Sequence, residues 1–184
     1  MNREAVFETT RHGLNTVGYV ILSGPVSTPR SLMNTVQGCV DLVSQGEIVK
    51  INPYLYSLPG TEINKEVVEN PSLAETKSYP VPGYPGMSVE RVVRLLPRDE
   101  QAREIVERFE RRLPAYEEEV KRSLGVTDWI SEYSTPTQLD LLLSCGLEAK
   151  AFPEEWALGL RARLQELLRT SRRRNITTRE LTFA

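Results

Sequence analysis

Asn34, Thr35, Gln37 and Asp41 stand close together in a chain of 184 residues, and their chemistry is hydrogen bonding, not bond making. Asparagine and glutamine each pair a donor with an acceptor, the pattern that adenine presents in the major groove. Threonine offers a hydroxyl to phosphate or a methyl contact. Arg30, Lys50 and the earlier Arg11 flank this set as phosphate anchors, and Asn52 completes it at an expected turn. The densest basic run, "RTSRRRN", places Arg172, Arg173 and Arg174 near the end of the chain. Those arginines suit phosphate contact, and equally the negative end of a helix dipole. Double-stranded DNA is the partner such a set would fit, although the acidic Asp41 runs against it.

Covalent and metal chemistry have thinner support. His12 is the one histidine, and no cysteine or acid cluster stands near it. Cys39 and Cys145 are far apart with no CxxC spacing, which reads as two reduced, buried thiols. The chain has neither a phosphate-binding loop nor a GxGxxG run. Asp140 followed by Glu148-Ala149-Lys150 faintly resembles the D…ExK triplet of restriction-type nucleases, which gather a divalent cation on strands. Here Asp140 falls in an expected helix and Glu148 follows a helix stop. The expectation is therefore no catalytic residue, no metal and no cofactor.

Bulk composition agrees with a binding protein of modest charge. Hydrophobic residues make up 40% and charged residues 26%, ordinary for a globular chain with one core or two small ones. The formal net charge is −2, so any nucleic-acid contact must come from local patches. The opening "MNREAVFETTRHG" is polar, unlike a secretory leader. The nearby apolar run "VGYVIL" is far below the roughly 18 residues that a membrane span requires. A cytoplasmic protein without membrane contact is expected.

The elements that would position these residues fall into three regions. Residues 1–60 begin with an expected helix carrying Val6, Phe7, Leu14, Val17, Val20 and Ile21. Thr28 and Pro29 read as an N-cap and first helical position, opening a short helix through Leu32 and Met33. A turn at Asn34 and Thr35 would lead to a further helix with Val36, Cys39, Val40 and Val43, stopped at Gly46. A hairpin from Ile48 to Leu58 would follow, turning at Asn52 and Pro53. Residues 61–86 are rich in proline and glycine and read as an irregular connector. Residues 87–184 read as helical. Val89, Val92, Val93 and Leu96 suggest a short helix, and Ala102 to Leu124 a long one kinked or broken at Pro114. Thr135 and Pro136 open another, and Pro153 with Glu154 and Glu155 a last one.

Helix, short helix, helix and hairpin is the order of a winged helix-turn-helix. The run "LVSQGEIVKINPYLYSLPG" resembles the end of the winged-helix domains of AbiEi-type antitoxins and related prokaryotic regulators. The matching residues are Leu42, Gly46, Glu47, Ile48, Val49, Ile51, Tyr56, Leu58, Pro59 and Gly60. The tip "NPYL" departs from that pattern, which commonly carries basic residues and a glycine there. The resemblance implies a mainly α protein: an N-terminal winged helix-turn-helix (1–60) with a small β-hairpin wing, a Pro-rich connector (61–86) and a C-terminal helical domain (87–184). It implies a sequence-specific DNA-binding transcriptional regulator, a dimeric repressor in which Arg30, Asn34, Thr35, Gln37, Asp41, Lys50, Asn52 and Arg172 to Arg174 touch DNA. The Ala102 to Leu124 stripe would serve as core or as the seam of a homodimer. The alternative is a protein-interaction adaptor or antitoxin whose helical domain holds a partner protein encoded nearby.

Overall fold

In the computed structural model, which describes residues 8, 12, 17–45, 48–57, 60–80, 88–125 and 131–182, Val17–Ser23 is a strand, β1. The expected first helix is corrected over this stretch, and its Val6, Phe7 and Leu14 lie outside the described residues. Alternation explains the strand. Leu22 is buried and Val20 half-buried on one face, while Tyr19 and Ile21 are exposed on the other.

Helix α1 runs unbroken over Pro29–Ser44, in place of two helices with a turn at Asn34 and Thr35. Thr28 caps it. Its hydroxyl accepts from the Ser31 amide, and the Ser31 hydroxyl oxygen accepts from the Thr28 amide, so two otherwise orphaned donors are satisfied. Continuity follows from the stripe Leu32, Val36, Cys39 and Val40, all buried, which spans the supposed turn. Thr35 fits inside the helix by donating its hydroxyl proton to the Ser31 carbonyl at 3.0 Å.

Strand β2, Ile48–Tyr54, pairs in parallel with β1 from Val17 with Ile48 to Ser23 with Tyr54. The β-hairpin wing is therefore corrected: β1–α1–β2 is a parallel unit with a helical crossover. Asn52 and Pro53 lie within β2 and do not turn it. The Pro53 carbonyl accepts from the Ser23 hydroxyl at 2.7 Å. The other edge of β2 meets a helix, whose Thr135 hydroxyl donates to the Val49 carbonyl at 2.6 Å.

Leu55 hands the chain to a second sheet. Its amide donates to the Ser23 carbonyl, and its own carbonyl accepts from the Leu95 amide. Strand β3, Tyr56–Ser57, then pairs antiparallel with β5, Ser88–Leu95, which pairs antiparallel with β4, Ala74–Pro80. Two expectations change here. The connector contains a helix, α2 (Glu62–Glu69, capped by Thr61), and β4, and the valine-rich segment expected as a helix is β5. Val89, Val92 and Val93 are β-branched and restricted at χ1, which suits a strand.

The helical half follows the sequence more closely. Helix α3, Glu100–Leu124, starts at the Asp99 cap and ends at Gly125, whose φ of 65° is the left-handed conformation glycine accepts most readily. Pro114 does not interrupt it. Pro114 is exposed, so its ring faces water and not the core. Helix α4, Ser131–Glu148, begins ahead of the expected Thr135 and Pro136. Helix α5, Glu154–Thr182, opens with Glu154 and Glu155 in its first turn.

The protein is mainly helical, with five α-helices among the described residues. Its buried cluster joins the first sixty residues to the last helices without a gap. Leu22, Leu32, Val36 and Val49 pack with Ile105, Phe109, Leu139, Leu142 and Leu164. Helix α4 is central, with Leu139, Leu141, Leu142 and Leu143 all fully buried. The link to α5 is tight because the Phe152 ring occupies the place a Gly146 side chain would take, 2.0 Å from an ideal Cβ. Among the described residues no helix is long and apolar enough to cross a membrane.

Candidate binding groove

Between β1 and α1 lies a cavity of about 510 Å³ lined by Tyr19, Val20, Ile21, Asn34, Thr35, Gly38 and Cys39. Three consecutive strand residues form one wall, and one flank of the helix forms the other. No β2 residue lines it, so it follows the edge of β1 that has no partner strand among the described residues. Gly38 contributes no side chain, and α1 therefore leaves room along the strand. The outer rim is apolar and wet: Tyr19 is 73% exposed and Ile21 50%.

Register places Lys50 beside Tyr19 and Asn52 beside Ile21 on the same outer face. Lys50 leans over the ring, its Nζ 5.6 Å from the centroid, toward the open edge. No carboxylate pairs with Lys50 or with Arg30 among the described residues. Arg30 stands one helical turn before Asn34, and both are exposed.

A second cavity, about 480 Å³, continues past Ile21 and is lined by Ser23, Pro25, Val26, Leu55 and Ile63 among others. Val26 is 85% exposed at its rim. Glu66 and Arg98 pair at the far side. Ile21 borders both cavities, so they follow one another along β1 as a track that passes this side chain.

The opposite flank of α1 is closed by α5. The Trp156 indole N–H donates to Gln37 Oε1 at 3.1 Å, and Gln37 Nε2 donates to Asp41 Oδ1 at 3.0 Å. Arg163 reaches Asp41 at 3.4 Å and the Ser44 hydroxyl at 3.1 Å. Two of the expected base-reading side chains are thus engaged within the molecule. Asn34 remains exposed, and Thr35 is bonded back to its own helix. Asn52 is half-buried in β2, away from any turn. Arg172, Arg173 and Arg174 lie on α5 where side chains are outside the described residues, as does the whole of Arg11.

The remaining polar nodes are structural. Asp140 is buried, receives Arg161 Nε at 2.8 Å and Nη2 at 3.2 Å, and accepts from the Tyr116 hydroxyl. Glu148 receives Arg112 at 2.6 Å and Arg108 at 3.1 Å; the Arg112 hydrogen bond leads in holding its carboxyl below the usual range. The two acids of the nuclease-like triplet therefore sit on one helix, each joined to arginine. Buried Arg94 joins Glu75 of β4 to Glu110 of α3 and stacks 4.4 Å from the Tyr54 ring. Burial pushes the Cys39 thiol up to about 11, so it is protonated at neutral pH and is no nucleophile. Among the described residues no group of three or more His, Cys, Asp or Glu could hold a metal ion.

Tyr19, Ile21, Trp156 and Arg163 are the residues that sequence reasoning missed here. A signal for the first pair existed, in the β-branched and aromatic run "VGYVIL". None existed for the second pair, whose partners lie more than a hundred residues away. Comparison of the chain with protein-family models, curated proteins and solved structures gives no match, so the groove is read from its own geometry.

Proposed function

We propose that the protein is a protein-interaction adaptor that takes an extended segment of a partner as an added strand along β1. The observation that carries this reading is the groove with a strand edge as one wall and a helix flank as the other. A segment laid there would gain main-chain hydrogen bonds from β1 and side-chain contacts at alternate residues. Exposed strand edges are ordinarily blunted by charge, proline or cover. Among the described residues no strand covers the second edge of β1, and the face beside it presents Tyr19 and Ile21 to water. No bond making is assigned to the site: its polar groups are Asn34, Thr35 and the Lys50 amine at the rim, and its thiol is protonated.

A second reading keeps α1 as a DNA-reading helix in a dimeric repressor. Exposed Arg30 and Asn34 favour it. Its cost is that Gln37 and Asp41 would have to leave α5 to reach bases.

Hydrogen exchange on the full chain, with and without candidate partners co-expressed from adjacent reading frames, tests the first reading. Added protection should centre on the amides of Tyr19, Val20 and Ile21. Protection confined to α3 or α5 sinks it. A gel shift with the upstream duplex at low salt tests the second, which requires binding that Arg30→Glu and Asn34→Ala abolish and that weakens steeply with salt.

A further inference from the structure

The track along β1 also specifies the segment that fits it, an inference that rests on the strand-addition reading. On an added strand, alternate side chains share the outer face with Tyr19 and Ile21. The residue beside Tyr19 meets the Lys50 ammonium, which already leans across that ring. Lys50 has no carboxylate among the described residues. The residue two positions along meets Ile21 and the mouth of the second cavity, whose walls include Pro25, Val26, Leu55 and Ile63. That cavity's one cation, Arg98, is already paired with Glu66.

We infer that the partner segment is an extended acidic peptide, with Asp or Glu beside Tyr19 and Lys50 and a large apolar residue two positions along, seated against Ile21 and Val26. Charge complementarity selects this occupant over a second copy of the chain. Pairing two β1 strands about a two-fold axis would set Tyr19 and Ile21 against their own copies and supply no acid from β1 to Lys50. It also selects a peptide over duplex DNA, because a single lysine beside the apolar walls of the second cavity suits one carboxylate and not a run of phosphates.

The test uses the full chain and three fluorescent eight-residue peptides. Each alternates threonine with a second series that holds leucine at one central position and Glu, Gln or Lys two residues away. Anisotropy should rank Glu tightest. Lys50→Glu should invert the ranking of Glu and Lys, by about three- to tenfold on each arm. Val26→Asp should weaken all three peptides, while Arg169→Glu, far along α5, should change none. Equal affinity for the three, with β1 amides protected, overturns the acidic preference and leaves strand addition standing. No binding by any peptide, with β1 amides unprotected, overturns both. A doubled solution mass with β1 protected in the absence of peptide makes a second copy the occupant. Duplex DNA that displaces the Glu peptide and loses affinity on Lys50→Glu makes phosphate the ligand.

Discussion

Helix α1 has two polar flanks, and they have opposite fates. Gln37, Asp41 and Ser44 meet Trp156 and Arg163, so that flank closes on the molecule itself. Asn34, Thr35 and Gly38 line the cavity beside β1, and the nearby cation Lys50 has an aromatic ring beneath it and no acid among the described residues. Hydrogen-bonding capacity does not separate the two, since amides and hydroxyls stand on both. What separates them is satisfaction. A half-buried polar group must find a partner or lose roughly 1–3 kcal/mol, so the α5 flank is complementary to itself. The groove flank stays wet and can leave its complement to another molecule.

The comparison breaks most visibly at Trp156. Its edge-to-face contact with Phe152, centroids 5.5 Å apart, and its bond to Gln37 tie the α4–α5 link to α1. Trp156→Ala should lower the unfolding free energy by about 3 kcal/mol in urea denaturation. A loss below about 1 kcal/mol would mean that α5 does not close this flank.

A smaller effect belongs to the amide. Gln37→Ala should cost about 1 kcal/mol, and a double-mutant cycle with Trp156→Phe should return a coupling above about 0.5 kcal/mol. Simple additivity would place Gln37 with the groove residues. Mild acid should sharpen the picture from the far end of α4. Glu148 is held below the ordinary glutamate value of 4.5 by Arg112 and Arg108, so its contribution is present above that value and lost as pH falls through its lower folded pKa. Stability should therefore decline as the medium is acidified below about 4.5, and Glu148→Gln should flatten part of that decline. An unchanged pH profile in the variant would remove Glu148 from the closed network.

The smallest stability effect belongs to the groove. Lys50→Glu should shift the unfolding free energy by no more than about 0.5 kcal/mol, as ordinary surface changes do. A large loss would move Lys50 from the binding face into the fold. Together these measurements ask whether the two flanks differ in energy as they do in geometry.

Elements whose signals are local were legible in the sequence. The Ala102 to Leu124 stripe with its Gly125 stop, and the acidic opening of α5, rest on caps and on a repeat that one helix satisfies by itself. The strands were less so, for "VGYVIL" and "VERVVRL" are short apolar runs that fit either period, and periodicity cannot arbitrate at that length. Pairing decided them, and pairing is non-local: β1 finds β2 across a helix, while β5 gathers β3 and β4. The "GEIVKINPY" segment could not announce that its partner strand precedes α1.

The site divides along the same line. Asn34, Thr35, Gln37 and Asp41 could be named from residue type alone as the groups able to hydrogen-bond outward, and Lys50 as the cation nearby. Which of them are free was settled by α5, folding back from more than a hundred residues away onto Gln37 and Asp41. The sequence by itself determined the chemistry on offer, because that follows from side-chain type, and the helices whose caps and repeats are local, α3 and the start of α5. Only the tertiary structure decided which flank of α1 is spent and which edge of β1 has no partner strand among the described residues, because burial and pairing belong to neighbours that no local window contains.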